Sequence, residues 1–171
     1  MKLEMLLVAV DFSEVTTQVY ETAAVLAERL RAKVVVVNVT EPQVDYAGLS
    51  APGAYAIADD EIRKMIEGRL NVAKEFFEAR QLTVFVEHQW GQVVSSILER
   101  VQKWDAGLVL VGSHGHGALY NLLVGSIAAG LIRHSNVPVV VVPDSRAKEG
   151  VGATATKEGA EIKEPAAPVK V

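Results

Sequence analysis

The chain has 171 residues, half of them hydrophobic, and a formal charge of −4, which suits one domain with a full core and is too short for two of ordinary size. The acid excess, with no run of Lys or Arg, leaves out the electrostatic footprint of a nucleic-acid binder. There is no cysteine, so disulfides, thiolate metal sites and thiol catalysis are excluded together.

Met5-Leu-Leu-Val-Ala-Val10 is a continuous apolar run ended by Asp11, the pattern of a strand buried on both faces. Glu4 interrupts the N-terminal apolar stretch and no small-residue cleavage site follows, so it does not read as a signal peptide. No stretch approaches the roughly 20 apolar residues of a membrane span. A soluble, cytoplasmic protein without membrane contact is the expectation. Ser13 is a plausible N-cap for a helix over residues 14–31, with Val15, Val19, Ala23, Leu26 and Leu30 at helical spacing. Lys33-Val-Val-Val-Val-Asn-Val39 is a second buried strand, completing a βαβ unit.

From Thr40 to Ala58 the pattern gives way to Pro42, Gly48, Pro52 and Gly53, a long loop that either folds over a ligand or is a surface excursion. Asp59 or Asp60 opens a helix to about Arg80, with Ile62, Ile66, Leu70, Ala73 and Phe77 on one face. Residues 82–87 alternate as an outer strand, His88-Gln-Trp-Gly91 reads as a turn, and Gln92 to Trp104 as a helix. Gly107-Leu-Val-Leu-Val-Gly112 is another buried strand, and a helix from about Ser126 to His134 precedes the last, Val137 to Pro143.

The alternation β-α-β-α-β-α-β-α-β implies an α/β fold: a doubly wound, five-stranded parallel sheet with right-handed crossovers. Pro138 puts the last strand at an edge, because proline cannot donate to a central ladder. That edge is rich in valine, and pairing with the same strand, Val137 to Val142, of a second copy is the simplest cover. After Pro143 large apolar residues become scarce. Residues 1–143 are therefore expected to form the domain and 144–171 a flexible C-terminal tail.

In such a sheet ligands bind beyond the C-terminal strand ends, where strand order reverses. Two loops lead there: Val10-Asp11-Phe12-Ser13 after the first strand and Gly112-Ser-His-Gly115 after the fourth. Asp11 is placed to accept from ribose hydroxyls or an adenine amino group, or to help hold a metal; its plainer role is to cap the first helix. Gly112, Gly115 and Gly125-Ser126 bring the chain back to one anion from two sides, with main-chain N–H groups and a hydroxyl at a helix start. No Gly-Lys-Ser/Thr is present in this stretch, so it is no Walker loop, and its glycines do not follow the first strand as in the dinucleotide fingerprint. His114 and His116 have no acidic neighbour in sequence to complete a zinc site, and donation to phosphate oxygens suits them better. His88 and His134 have no partner by sequence. Ser13, Ser113 and Ser126 have no recognisable base and orienter, so triad hydrolysis is not expected.

Laid out in this way, the chain resembles the universal stress protein family, in its ATP-binding branch. The family signature is Gly, two residues, Gly, nine residues, then Gly-Ser or Gly-Thr, and Gly112, Gly115, Gly125 and Ser126 fill every position. Val-Asp-Phe-Ser, Val-Gly-Ser-His-Gly and Arg133-His-Ser-Asn-Val-Pro-Val are similar phrases in the same order, over about residues 3 to 143. At His116 relatives often carry Arg or Lys, and at Ala9 proline.

The resemblance implies a Rossmann-like sheet of adenine nucleotide alpha hydrolase type, order 3-2-1-4-5, binding ATP (or AMP or ADP), with Mg²⁺ or Mn²⁺, between strands one and four. Carried over by position, Asp11 and the main chain of Val39 would face adenine and ribose. Gly112 and His114 would lie along ribose and α-phosphate, and Gly115, Gly125, Ser126 and Ile127 would hold the phosphates. The family usually dimerises through the last strand. The expected function is a nucleotide-dependent regulatory homodimer in the stress response. The alternatives are a slow ATPase acting as a timer, for which Asp11, His114 or His116 would orient water, and a stress interaction protein that binds no nucleotide.

Overall fold

The computed structural model describes residues 3–42, 54–113 and 124–144, with the side chains of 54–59 left aside. The elements in order are β1 (Met5–Val10), α1 (Thr16–Leu30), β2 (Lys33–Thr40), α2 (Ala54–Glu78), β3 (Val84–Trp90), α3 (Val93–Lys103), β4 (Leu108–Gly112), α4 (Ser126–His134) and β5 (Val139–Val142). All four strand pairings are parallel, in the order β3-β2-β1-β4-β5. The doubly wound parallel sheet expected from alternation is observed, in the strand order that the family resemblance implies.

Period two along the central strands divides the core. Leu6, Val8 and Val10 of β1, with Val34 and Val36 of β2, pack under α1 and α2; Leu7, Ala9, Val35 and Val37 pack under α3 and α4. Both sets are buried, which is why β1 and β2 read as unbroken apolar runs. On the α1/α2 side Tyr20, Phe76 and Phe77 form a ring cluster with centroids 5.1–5.6 Å apart. Burial pushes the Tyr20 phenol well above its ordinary pKa.

Several boundaries differ from expectation. Helix α2 begins at Ala54 rather than at Asp59 or Asp60, because Ala54, Ala56 and Ala58 are strong helix formers that need no apolar stripe to continue a helix. Strand β3 runs on through His88, Gln89 and Trp90, which pair with Asn38, Val39 and Thr40, and the turn waits for Gly91, at φ +152°. The ladder with β2 outweighs the polar character of those residues. Strand β5 starts one residue after Pro138, whose carbonyl accepts from Val109 N–H at 3.0 Å; among the described residues β5 pairs with β4 alone, as an edge strand. Residues 43–53 of the long loop and 145–171 of the tail lie outside the described residues.

Strand β3 is tied to α3 by Glu87. Its carboxylate accepts from Lys103 Nζ at 2.7 Å and Trp104 Nε1 at 2.8 Å, and pairs with Arg100 Nε at 3.1 Å. Partial burial opposes ionisation, but these hydrogen bonds and the Arg100 and Lys103 charges outweigh it, holding the carboxyl below its usual value. The folded state therefore favours the anion. Its contribution is complete above the ordinary glutamate range and is lost as the pH falls through the depressed folded value. Glu87→Gln should flatten the acid limb of a Tm-against-pH profile relative to wild type; superimposable profiles would count against the pairing.

Candidate functional site

Strand β1 stops two residues short of β2 and ends level with β4, and this builds the site. Its last pair with β2 is Val10 with Asn38, and with β4 is Ala9 with Val111. Strand β2 continues to Thr40 and β4 to Gly112. In a parallel ladder each residue directs both main-chain groups to one side, alternating along the strand. Lys33 N–H bonds the Glu4 carbonyl just ahead of β1, so Val39 also faces the β1 side; Ser113 N–H bonds Val142 on β5, so Gly112 faces β1. Val39, one residue past the end of β1, and Gly112, level with that end, thus turn main chain towards the β1 side from either flank. The chain leaves β1 towards α1 on one face and β4 leads to α4 on the other, so this gap is the reversal point of the sheet.

Asp11 begins the exit from β1 as an exposed residue. Its Oδ1 accepts from Ser13 N–H at 3.0 Å, an Asx turn that starts α1. The Ser13 hydroxyl is not the cap: α1 has Val15 at its N-cap position with no side-chain cap, and the Ser13 carbonyl accepts instead from Thr16 N–H at 3.0 Å. The turn becomes possible because Phe12 takes a left-handed conformation, φ 59°. Arg69 of α2 clamps it, with Nη1 donating to the Phe12 carbonyl at 3.4 Å and its guanidinium 5.5 Å from the Phe12 ring centroid.

The fourth-strand side is fastened by main chain. Gly125 N–H donates to the Ser113 carbonyl at 2.7 Å, bringing the start of α4 back to the end of β4. Gly125 is the N-cap of α4, at φ −68° and ψ 162°, with no side-chain cap, and its carbonyl takes the first intrahelical bond from Ala129 N–H at 2.9 Å. The N–H groups of Ser126, Ile127 and Ala128 therefore have no partner one turn back in the helix, and the positive end of its dipole lies there. The Ser126 side chain is exposed. The structure thus groups Asp11, Val39, Gly112, Gly125, Ser126 and Ile127 at one end of the sheet. His114 and Gly115, and with them His116, lie outside the described residues.

Two features had little or no sequence signal. Arg69 is one of many exposed residues on α2, and nothing in its spacing marks it. The other is a polar chain running outward from β1. Asn38 is buried and its Nδ2 donates to the Val10 carbonyl at 2.9 Å; Thr40 Oγ1 lies 3.3 Å from Asn38 Oδ1, and His88 Nε2 3.1 Å from Thr40 Oγ1. His88, for which the sequence offered no partner, therefore has one. A single amide within the valine run of β2 was the available signal. Partial burial, then the Arg63 charge, hold the His88 pKa below its ordinary value, against an opposing pull from Glu67.

Comparison with known proteins places the chain among relatives. Residues 3–143 match the Universal stress protein family. A universal stress protein of Methanocaldococcus jannaschii is 25% identical over 137 residues, 80% of each chain. One from Mycobacterium tuberculosis is 29% identical over 143 residues, but the chain spans only 47% of that longer relative. Two solved structures share the fold: a universal stress protein in complex with cAMP (TM-score 0.63, 24% identity, covering 83% of this chain and 98% of that one), and the universal stress protein from Archaeoglobus fulgidus in complex with dAMP (TM-score 0.59, 21% identity, 83% and 99%).

Proposed function

We propose that this chain, which belongs to the universal stress protein family, binds an adenine nucleotide, ATP foremost, in the gap beyond β1 and acts as a nucleotide-dependent regulatory homodimer. The observation that carries the reading is the convergence of Val39 and Gly112 main chain with the uncapped first turn of α4. An arrangement of N–H donors at a helix N-terminus favours a phosphate, and the cAMP and dAMP complexes of similar proteins make adenosine phosphates the class to test. In this reading Asp11 and Val39 meet adenine and ribose, Gly112 and His114 the ribose and α-phosphate, and Gly115, Gly125, Ser126 and Ile127 the remaining phosphates. Mg²⁺ or Mn²⁺ would accompany the nucleotide and offset part of the phosphate charge.

The homodimer would form on β5, whose valines line an edge paired on one side only. Residues 1–143 would form the nucleotide-binding domain of a cytoplasmic protein, with 144–171 as an appended tail; among the described residues no helix is long and apolar enough to cross a membrane. The reading is binding rather than chemistry. Mass spectrometry of the denatured, freshly purified protein should find an adenine nucleotide, and calorimetry with ATP and Mg²⁺ should show saturable heat. A protein that carries none and gives no heat with ATP, AMP or cAMP overturns it.

A further inference from the structure

The polar chain leading away from β1 has only one possible direction. The Val10 carbonyl can only accept, so Asn38 meets it with its amide nitrogen, 2.9 Å away. Asn38 Oδ1 is then the acceptor for the Thr40 hydroxyl at 3.3 Å. That hydroxyl has one proton and gives it to Asn38, so towards His88 it must accept, and Nε2 of His88 must carry a hydrogen to donate across 3.1 Å. Donation therefore runs inward across three strands, from His88 on β3 through β2 to the last carbonyl of β1.

That carbonyl belongs to the same peptide group as the Asp11 N–H, at the point where the chain enters the proposed nucleotide gap. Hydrogen-bond chains polarise one another, and Asn38 is 4% exposed, so its link is little diluted by solvent. All three side chains lie on the sheet face covered by α1 and α2, since they share a face with Val34 and Val36. The charged groups of α2 that act on His88 are Arg63 and Glu67, and the ring of Trp90 on its own strand stands edge-on, centroid 5.1 Å away.

We propose that His88 is a positioning residue for the nucleotide site: through Thr40 and Asn38 it sets the Val10–Asp11 peptide, so that adenine-nucleotide affinity responds to a histidine on the outer strand. The proposal rests on the nucleotide reading above, but its physical link is testable without ligand. Protonation of His88 leaves Nε2–H in place and makes it a stronger donor, so the chain tightens as pH falls through the histidine range.

The experiment follows the Asp11 amide by ¹⁵N NMR between about pH 5 and 8, alongside the His88 ring, in the full chain and in Thr40→Val. The Asp11 resonance should move with the His88 midpoint in wild type and lose that component in Thr40→Val, while the ring still titrates. At fixed neutral pH, Thr40→Val and His88→Leu should each weaken ATP binding by about 3- to 10-fold, the equivalent of one net hydrogen bond. The double variant should lose no more than either alone, and Thr40→Ser, which keeps the hydroxyl, should bind as wild type. An Asp11 amide that follows His88 equally well in Thr40→Val overturns the relay, as do losses that add in the double variant. Wild-type protein that binds no adenine nucleotide overturns the nucleotide reading instead, and the amide titration then decides the relay on its own.

Discussion

Phe77→Ala should cost about 3–5 kcal/mol of unfolding free energy, the range for truncating a fully buried aromatic ring. Phe77 has no exposed surface, and its ring stands edge-on to Tyr20 at 5.6 Å and to Phe76 at 5.1 Å, where α2 crosses α1. Its removal opens a cavity between two helices and the sheet that flanking groups cannot fill without moving α2, and α2 carries Arg69 to the β1 exit. Phe76→Ala is the internal control. Phe76 is only partly buried beneath the Arg80 guanidinium, 3.8 Å from its ring centroid, so its loss should be clearly smaller. Urea unfolding followed by far-UV circular dichroism measures both. A Phe77→Ala loss within about 0.5 kcal/mol, typical of surface substitutions, would contradict the packing described.

Ser126→Pro should weaken ATP binding by about 10- to 100-fold while leaving the fold intact. Ser126 is the first residue of α4, the one helical position where proline is favoured, because the N–H it lacks has no intrahelical partner. The residue before a proline is confined to extended conformations, and Gly125 already has φ −68° and ψ 162°. The substitution therefore removes one N–H and one hydroxyl from the proposed phosphate site at little conformational cost. A hydrogen bond to a charged group contributes about 1.5–3 kcal/mol, which gives the stated range. Calorimetry with ATP and Mg²⁺ reads the affinity and a thermal melt reads the fold. Wild-type affinity in a folded variant would remove α4 from the binding site.

The central fold was legible because β1, β2 and β4 are buried on both faces. Such strands have no polar alternation to confuse, and Asp11 and Gly112 mark the ends of β1 and β4. Strand β3 was cut short because His88, Gln89 and Trp90 resemble a turn when taken alone; their strand state comes from Asn38, Val39 and Thr40, 50 residues earlier in each case. The spacing of Gly112, Gly125 and Ser126 was readable as a local motif, and the 2.7 Å bond from Gly125 N–H to the Ser113 carbonyl shows what brings its two ends together. The Ser13 hydroxyl does not cap α1 because the Ser13 carbonyl takes the Thr16 N–H, in a turn that Asp11 holds through the Ser13 N–H. Contacts such as Arg69 with Phe12 and His88 with Thr40, 57 and 48 residues apart, leave no periodic trace in a single sequence.

The early end of β1 also bears on how such a protein can diverge. A recess walled by the peptide groups of Val39, Gly112 and the first turn of α4 presents a surface that every amino acid supplies in the same form. Drift in side chains changes what surrounds the recess and leaves its walls alone, so long as strand lengths persist and no bulk intrudes at the glycines. This chain and its Methanocaldococcus jannaschii relative differ at three residues in four over their 137 aligned positions, and a wall of peptide groups is the kind of surface that such exchange touches least. What such a recess needs kept is the overhang of β2 past the end of β1.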